Sequence, residues 1–473
     1  MTGNGWKLSV TLLMVTAAAI GAGAQTFQSL FSFNRTDGAM PFAPLAQGRD
    51  GNLYGTTWGG GTGGAGERYG TVFRITPTGT FTTIYNFCSQ NACADGTNPV
   101  GGLTLGSDGN FYGTTGSGGP LAGTVFKITP DGALTTLHTF GLTDDGEGPA
   151  GTLIQGLDGS FYGTTVGGGA YMYGTVFKIT AEGAFTSLYS FDGLEAANPA
   201  AGLTLGTDGQ FYGTTESGGN YGDGAVFRIS PKGRLTILTV LHGFDGSQPH
   251  GTLLLANDGD LYGTAFYGGN LNCNAPLGCG TVFRVTSRGI LKSLHRFNGS
   301  NGSLPMAGLI QATDGNLYGV TELGGSSSNC SQGCGTILSI NNENTLTTLY
   351  NFDLVGGYQP LGNLLQSTNG HLYGTTGSGG SLDDGTVFML DIGLTPFVAF
   401  VRNAGRIGES GGILGQGFTG TTDVSLHGTS AQFKVVSDTY IRATVPPGAT
   451  TGYVTVTTPT GILKSNVQFH VIP

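Results

Sequence analysis

The chain has 473 residues, of which 89 are glycine and only 10% are charged, and its 29 acidic residues outnumber 19 basic ones. The acidic balance and the lack of clusters of Lys and Arg argue against nucleic acid as a partner. So much glycine with so little charge is often a sign of disorder, but the alternating Val, Phe, Ile, Leu and Tyr positions predict β-sheets.

The N-terminus has the features of a secretory signal peptide. Lys7 precedes an apolar run over residues 8–20, and Ala22 and Ala24 occupy the small-residue positions of a cleavage site. A membrane anchor is the alternative, but the run is shorter than the roughly 20 residues that a spanning helix needs. We therefore expect residues 1–24 to be removed and the mature chain to be exported without a membrane span.

The dipeptide Tyr-Gly recurs seven times along the next part of the chain. Its tyrosines are Tyr54, Tyr112, Tyr162, Tyr212, Tyr262, Tyr318 and Tyr373, which are 50 to 58 residues apart. Each copy contains four short β-type segments, a, b, c and d, joined by small turns. A period of about 50 residues with four strands is the signature of a β-propeller blade. The sequence therefore predicts an all-β chain with a seven-bladed β-propeller over residues 25–392.

The two ends of the repeat region predict how the ring closes. The last repeat stops after its c segment at residues 385–391, whereas a lone d-like segment at residues 26–33 precedes the first a segment. If these two segments pair, the sheet has no open edge on which other chains could add. We predict that residues 27–33 pair antiparallel with residues 385–390.

The six cysteines fall into three close pairs, which are Cys88 with Cys93, Cys273 with Cys279, and Cys330 with Cys334. In an exported chain, an even number of cysteines in local pairs predicts disulfide bonds. The alternative is a four-thiolate metal site built from the last four cysteines, because repeats five and six are neighbours in the predicted ring. Oxidising export favours the disulfides, so no metal is predicted.

The Tyr-Gly repeat ends near Gly393, and shorter alternating segments follow. They span residues 424–428, 431–435, 437–446, 452–457 and 467–471. Short strands at close spacing in about 80 residues predict an immunoglobulin-like β-sandwich, which we place at residues 393–473.

The C-terminal motifs resemble the IPT/TIG family of immunoglobulin-like domains over nearly all of residues 396–473. The resemblance rests on Gly415-Gln-Gly-Phe, on the segment Ser437-Asp-Thr to Ala443-Thr-Val-Pro, and on Gly452-Tyr-Val-Thr-Val-Thr with its Pro459-Thr-Gly ending. It implies an accessory or spacer module. It does not imply the DNA-binding members, whose additional basic domain has no counterpart in this sequence.

The repeats resemble the GloVer-type tandem repeat of exported bacterial proteins of the choice-of-anchor kind. The resemblance covers nearly all of residues 25–392 through two phrases, Asp-Gly-Asn-x-Tyr-Gly-Thr-Thr and Gly-Thr-Val-Phe-(Lys/Arg)-Ile. It implies a fold and a location but no biochemical activity. Members of this group tend to end in a sorting anchor, whereas residues 468–473 are neither an apolar tail nor a basic stop, so no anchor is expected here.

The loops of the predicted blades form two sets. The a–b turns carry an acidic or amide residue before glycine in every repeat, namely Asp50, Asp108, Asp158, Asp208, Asp258, Asp314 and Asn369. Such a ring of carboxylates would suit calcium or acid catalysis, but the same side chains favour tight hairpin turns, and the asparagine favours the turn interpretation. The b–c and d–a loops instead vary in length and sequence, and strand alternation places both on one rim. We predict that this variable rim is the binding face.

The aromatic candidates for binding on this rim are Trp58, Tyr171, Tyr221, Phe266 and Tyr267. Exposed rings could stack on the faces of sugars or on side chains of a partner. Trp58 and Phe266 both follow a b segment directly, which should place them near the mouth of the central channel. The alternative is that these rings only cover neighbouring loops.

Glu216 and Glu322 occupy the same place after segment b, in repeats four and six. Two carboxylates could act as general acid and base at the separation that glycosidases use, and solvated surface residues are the alternative. His250 stands where the other repeats have apolar residues, which indicates a tolerated substitution rather than a catalyst. No nucleophile elbow, phosphate loop or HExxH motif is present. We therefore assign no catalytic residue and predict no cofactor.

These observations favour a secreted binding protein whose variable rim recognises a polysaccharide or another extracellular protein. A hydrolase or lyase that acts on extracellular glycans is the alternative from another class, and it would need a few polar residues that converge at the channel mouth. A purely structural repeat protein is the third hypothesis, and it would leave the rim featureless.

Overall fold

The computed structural model describes residues 25–63, 69–118, 122–141 and 144–472, and the predicted signal peptide lies outside them. The described residues form β-strands, with one short 3-10 helix at Asn91–Cys93. They include seven antiparallel sheets built on the same four-strand plan, followed by the sheets of a C-terminal domain. The all-β prediction, with propeller blades and an immunoglobulin-like domain, is confirmed.

The strands of the first four blades follow in chain order. The chain begins with β1 (Thr26–Ser32). Blade 1 contains β2 (Ala46–Gln47), β3 (Leu53–Thr57), β4 (Thr71–Ile75) and β5 (Phe81–Asn86). Blade 2 contains β6 (Thr104–Leu105), β7 (Phe111–Thr115), β8 (Thr124–Ile128) and β9 (Leu134–Thr139). Blade 3 contains β10 (Glu147–Pro149), β11 (Ile154–Gln155), β12 (Phe161–Gly167), β13 (Thr175–Ile179) and β14 (Phe185–Ser190), with β10 and β11 both beside β12. Blade 4 contains β15 (Thr204–Leu205), β16 (Phe211–Thr215), β17 (Ala225–Ile229) and β18 (Leu235–Val240).

The remaining blades follow the same pattern. Blade 5 contains β19 (Leu254–Leu255), β20 (Leu261–Ala265), β21 (Thr281–Val285) and β22 (Leu291–Arg296). Blade 6 contains β23 (Ile310–Gln311), β24 (Leu317–Thr321), β25 (Thr336–Ile340) and β26 (Leu346–Asn351). Blade 7 contains β27 (Leu365–Gln366), β28 (Leu372–Thr376) and β29 (Thr386–Asp391), and β1 is its fourth strand.

β1 closes the ring as predicted. It pairs antiparallel with β29, so that Thr26 lies opposite Asp391 and Ser32 lies opposite Thr386. Its aromatic side chains reach both neighbouring blades. The Phe27 ring stacks on Tyr350 of blade 6 at 3.8 Å, and the Phe31 ring stacks on Phe81 of blade 1 at 3.9 Å between centroids. The N-terminal segment therefore joins the last blade to the blades on each side of it.

The same backbone hydrogen bond joins every blade to the one before it. The residue before a recurring proline has positive φ, and its N–H donates, over 2.8 to 3.3 Å, to a carbonyl just before strand c of the preceding blade. The donor and acceptor pairs are Asn98 and Tyr69, Gly148 and Ala122, Asn198 and Tyr173, Gln248 and Asp223, Leu304 and Cys279, Gln359 and Cys334, and Met40 and Asp384. The last pair joins blade 1 to blade 7, which closes the cycle of contacts.

The Tyr-Gly dipeptide has a packing reason that blade 4 illustrates. A Cβ atom on Gly213 would lie only 2.5 Å from Cζ of Phe227 on strand c, so no larger residue fits. The Tyr212 hydroxyl donates to the carboxylate of Asp208 in the a–b turn at 3.0 Å, and the other five tyrosine–aspartate pairs do the same. The repeated aspartates therefore act in the turns, where they form the hairpin and bind the tyrosine hydroxyl.

The C-terminal domain is a β-sandwich. One sheet contains β30 (Ala399–Phe400), β32 (Ser410–Leu414), β35 (Phe433–Ser437) and β36 (Tyr440–Thr444). The other contains β33 (Asp423–Leu426), β34 (Thr429–Ser430), β37 (Val454–Thr458) and β38 (Gly461–Lys464), while β31 (Ala404–Arg406) pairs parallel with β39 (His470–Ile472). Both large sheets contribute to a core that includes Val398, Ile413, Phe418, Ile441 and Val456.

This domain lies against the face of the ring that carries the a–b turns. The Thr439 hydroxyl donates to the Arg49 carbonyl at 2.6 Å, and the Arg49 guanidinium lies 4.6 Å from the centre of the Tyr440 ring. The backbone N–H of Phe397 donates to the carbonyl of Thr368 in the blade 7 turn. These contacts are all on the a–b turn face, and the described residues of the C-terminal domain leave the variable rim on the opposite face uncovered.

Candidate functional site

The variable rim, which consists of the b–c and d–a loops, is strongly acidic. Among the described residues it carries fourteen acidic residues and one basic residue, Arg35, which pairs with Asp384 at 3.2 Å. The acidic residues are Asp37, Asp95, Asp144, Asp145, Glu147, Asp192, Glu195, Glu216, Asp223, Asp245, Glu322, Asp353, Asp383 and Asp384. The other described lysines and arginines of the ring lie in strands c and d or in the turns of the opposite face. The two faces therefore differ in charge.

A row of exposed apolar side chains crosses this rim over blades 3, 4 and 5. We call Tyr171, Tyr173, Leu194, Tyr221 and Phe244 the aromatic band. Leu194 is 75% exposed, Tyr221 is 65% exposed, and Tyr171 and Phe244 are each 59% exposed. Such large exposed apolar groups commonly mark an interaction surface.

The members of the aromatic band are linked by contacts between neighbouring loops. A Cβ atom on Gly193 would lie 2.5 Å from the Tyr173 ring, which places the Leu194 loop beside that tyrosine. The Leu194 carbonyl accepts a hydrogen bond from Gly219 in the loop that carries Tyr221. The Tyr221 ring lies 5.5 Å from the ring of His242, two residues before Phe244. The band is therefore one continuous surface, and it includes two of the predicted binding residues, Tyr171 and Tyr221.

The other three predicted aromatic residues are partly buried. Trp58 lies 6.2 Å from the Phe42 ring, and Phe266 lies 4.7 Å from the Tyr267 ring. Phe266 also meets the His250 ring edge to face at 5.2 Å. The structure thus separates the five predicted rings into an exposed outer group and a half-buried inner group, because the residue after strand b is inserted between neighbouring loops.

A glutamate and a histidine meet at the boundary between blades 4 and 5. The Glu216 carboxylate lies 3.1 Å from Nδ1 of His250, and both side chains are largely buried. Burial lowers the pKa of His250 to about 4 and raises the pKa of Glu216. At neutral pH the imidazole is therefore uncharged, and its Nδ1–H can donate to the carboxylate. The sequence pattern indicates a tolerated substitution at His250, whereas the structure gives this histidine a specific partner in the adjacent blade.

Glu322 occupies the same position in blade 6 but has a different partner. The amide nitrogen of Gln359 donates to its carboxylate at 2.9 Å, across the boundary with blade 7. Burial raises the pKa of Glu322, and this hydrogen bond opposes the shift. Each of the two glutamates is thus held at its own blade boundary, by a histidine in one case and an amide in the other.

The six cysteines form the three predicted disulfide bonds, and the described residues include no free cysteine. Each bond stays within one rim loop, with Cα atoms 4.0 to 5.4 Å apart. No thiolate is therefore left for the alternative four-cysteine metal site. The backbone carbonyls of Cys279 and Cys334 also accept hydrogen bonds from the next blade. The disulfides of these two cysteines therefore order loops at blade boundaries.

Reduction of the three disulfides should lower the melting temperature only modestly. The paired cysteines are 4 to 6 residues apart, and closing such short loops stabilises a chain by about 2 kcal/mol each on entropic grounds. Thermal melts with and without reductant would measure this, with mass spectrometry of the non-reduced digest to confirm the pairs. Free thiols in the mature protein, or collapse of the fold on reduction, would contradict this expectation.

The end of the channel under the C-terminal domain encloses a cavity of about 620 Å³. Its walls come from the a strands of the ring, including Thr104, Thr204 and Leu254, and from Asn403 and Gln468 of the C-terminal domain. No group of three or more His, Cys, Asp or Glu side chains able to hold a metal ion is found in the part of the chain that the structure describes. Within the same residues, no helix has the length and apolar character of a membrane span.

The family follows from comparison of the sequence with known families. The profile of the Gloeobacter/Verrucomicrobia repeat matches residues 16–208 and 202–435, which together are most of the chain. The chain belongs to the Gloeobacter/Verrucomicrobia repeat family. The profile of the IPT/TIG domain matches residues 402–471, which confirms the second resemblance. No curated protein matches this repeat protein in sequence.

Several solved structures are similar to this repeat protein at low sequence identity. A fungal alcohol oxidase in complex with copper is 14% identical, with a TM-score of 0.53 over 92% of this chain and 98% of the oxidase. A gluconolactonase from Xanthomonas campestris is 14% identical, with a TM-score of 0.41 over 79% of this chain and 93% of that one. A putative 6-phosphogluconolactonase from Bacteroides fragilis is 18% identical, with a TM-score of 0.45 over 68% and 86%. The similarity to the oxidase shows the fold alone.

Leu194, Phe244 and the partner of His250 are not predicted by the sequence. Leu194 and Phe244 lie in d–a loops, where a large apolar residue beside glycine and acidic residues is a weak sign of exposure. The Glu216–His250 contact joins residues 34 positions apart in different repeats. Only the packing of one blade on the next shows that these two side chains meet.

Proposed function

We propose that this repeat protein is an exported binding protein that holds a polysaccharide on its variable rim. The observation that carries the proposal is the aromatic band, whose rings stand exposed on three consecutive blades. Flat apolar rings suit the C–H faces of sugar rings, and their hydroxyl groups can bond to the sugar. The scaffold repeats while the rim varies, which is how loop-based binding faces are commonly arranged.

The shape of the surface supports a chain-like ligand. The band runs across the b–c and d–a loops of blades 3 to 5, from Tyr171 through Tyr221 to Phe244, and its side chains are mostly exposed. A polymer that crosses several rings gains affinity from repeated weak contacts. The partly buried Trp58 and Phe266 would extend this surface inward.

Truncating the exposed rings should weaken polysaccharide binding without affecting the fold. Tyr171→Ala and Tyr221→Ala should each reduce affinity at least about fivefold, which is the loss typical of an aromatic contact residue in an interface. Trp58→Ala and Phe266→Ala should weaken binding as well. A glycan array and a polysaccharide pull-down on the mature chain would identify the ligand, and titration of the variants would follow.

Ile290→Ala is the matched control, since Ile290 is 64% exposed but lies in a c–d turn on the opposite face. The polysaccharide affinity of the Ile290→Ala variant should equal that of the wild type. The thermal melts of the two tyrosine variants should be nearly unchanged. If Tyr171→Ala and Tyr221→Ala both bind as the wild type does, the aromatic band is not the binding surface.

One observation favours a second candidate function, which is cleavage of the bound glycan by a hydrolase or lyase reaction. The Glu216–His250 pair is a carboxylate and an imidazole in contact at the boundary between blades 4 and 5, and such pairs can transfer protons. Glu216→Gln and Glu322→Gln should abolish polysaccharide cleavage if these glutamates take part. Absence of any cleavage by the wild type would remove this candidate and leave the binding function.

A further inference from the structure

We infer that the polysaccharide bound by the rim is a cationic one, a chain of amino sugars that carry free amino groups. The inference rests on the proposed polysaccharide binding and specifies the class of ligand. It combines two independent features of one surface, the exposed rings of the aromatic band and the excess of carboxylates around them.

The charge of the rim is segregated from the rest of the ring. Of the described Lys and Arg residues, only Arg35 lies in the rim loops, where it is paired with Asp384, and Arg296 at the end of strand d of blade 5 also reaches the rim at the Phe244 ring. The remaining rim carboxylates thus have few cations of this chain to neutralise them. Charge of one sign along a surface attracts a ligand of opposite sign, and salt screens this attraction beyond about 8 Å at physiological ionic strength. A neutral sugar would gain nothing from this field, and an anionic sugar would be repelled.

Two carboxylates belong to the loop that packs against a ring of the band. Asp192 and Glu195 flank Gly193 and Leu194, and a Cβ atom on Gly193 would lie 2.5 Å from the Tyr173 ring. Asp192 and Glu195 are both exposed, and neither forms an ion pair with the described residues. A sugar stacked on the blade 3 part of the band would therefore bring its ammonium group to the loop that carries these two carboxylates.

The ring faces of the band suit a cation as well as a sugar. The guanidinium of Arg296 already lies 5.9 Å from the centre of the Phe244 ring, so one ring of the band is in a cation–π contact within the protein. The exposed Tyr171 and Tyr221 rings offer the same kind of face to an external cation. A polysaccharide with an amine on each sugar can contact carboxylates and aromatic side chains alternately as it crosses the three blades.

The test compares two hexasaccharides that differ only at the amino group, which is free and charged in the glucosamine form and acetylated and neutral in the N-acetylglucosamine form. Isothermal titration of the mature protein at about pH 5.5, where free amines are protonated, should show at least about tenfold tighter binding of the glucosamine form. The advantage should shrink as salt is raised, because exposed charges are screened. Glu195→Gln should reduce affinity for the glucosamine form about threefold, the effect of one exposed ion pair, and leave the acetylated form unchanged.

The matched control is Glu182→Gln, an exposed glutamate in a c–d turn of blade 3 on the opposite face, which should bind as the wild type does. Equal affinity for the two hexasaccharides would overturn the charge inference while polysaccharide binding stands. If none of the tested polysaccharides binds to the protein, the proposed function itself is wrong. Binding of an oligolysine peptide that Tyr171→Ala leaves unchanged would identify a basic protein as the partner and overturn the inference.

Discussion

Deleting residues 25–34 should destroy the cooperative melt of the ring and cause aggregation. The deletion removes Phe27, Phe31 and Phe33, whose rings pack in blades 6, 7 and 1, and Phe33 is fully buried. Loss of one buried phenylalanine costs about 3–5 kcal/mol, so losing this strand exceeds the whole stability of a typical domain. It also exposes the edge of β29, on which other chains can add. Thermal melts and light scattering would measure both effects.

Two further measurements make this result specific to strand closure. A synthetic peptide of residues 25–34, added in trans, should restore the melt, since β29 is its partner in the native sheet. Phe33→Ala, which keeps the strand, should lower stability by about 3–5 kcal/mol without aggregation. A deletion variant that stays monomeric and melts like the wild type would show that β1 is dispensable.

Gly224→Ala should strongly destabilise the boundary between blades 4 and 5. Gly224 has φ of +95°, and a Cβ atom there would lie 2.2 Å from the Thr215 carbonyl oxygen and 2.9 Å from Cδ of Pro249 in blade 5. The backbone strain and the overpacking together predict a loss of more than about 3 kcal/mol in the free energy of unfolding. Denaturant titration of the unfolding transition of the propeller would measure this loss.

Gly259→Ala separates the two causes of that loss. Gly259 has φ of +85° in an a–b turn, and a Cβ atom there would meet nothing within 4 Å. This control should lose only about 1 kcal/mol, the cost of the left-handed conformation alone. If the two variants prove equally stable, the close contact between the glycine and the next blade's proline does not hold the blades together.

Most of the candidate site depends on contacts that link different repeats. Tyr171 and Tyr221 could be named in advance because loops of variable sequence on a repeating scaffold indicate a binding face. The half-burial of Trp58 and Phe266 could not, since it depends on how the next loop folds over them. The Glu216–His250 pair was equally hidden, because neither residue has a motif and their contact crosses a blade boundary.

The sequence by itself determined the blade plan, the closing strand and the disulfide pairs. These features are encoded by local periodicity, turn residues and short separations along the chain, which need no knowledge of distant contacts. Only the tertiary structure decided that the C-terminal domain covers the a–b turn face and that the aromatic band and the acidic rim share the opposite face. Loops 20 to 50 residues apart become neighbours only once the blades pack in a ring, so the rim's charge and exposure are properties of the assembled fold.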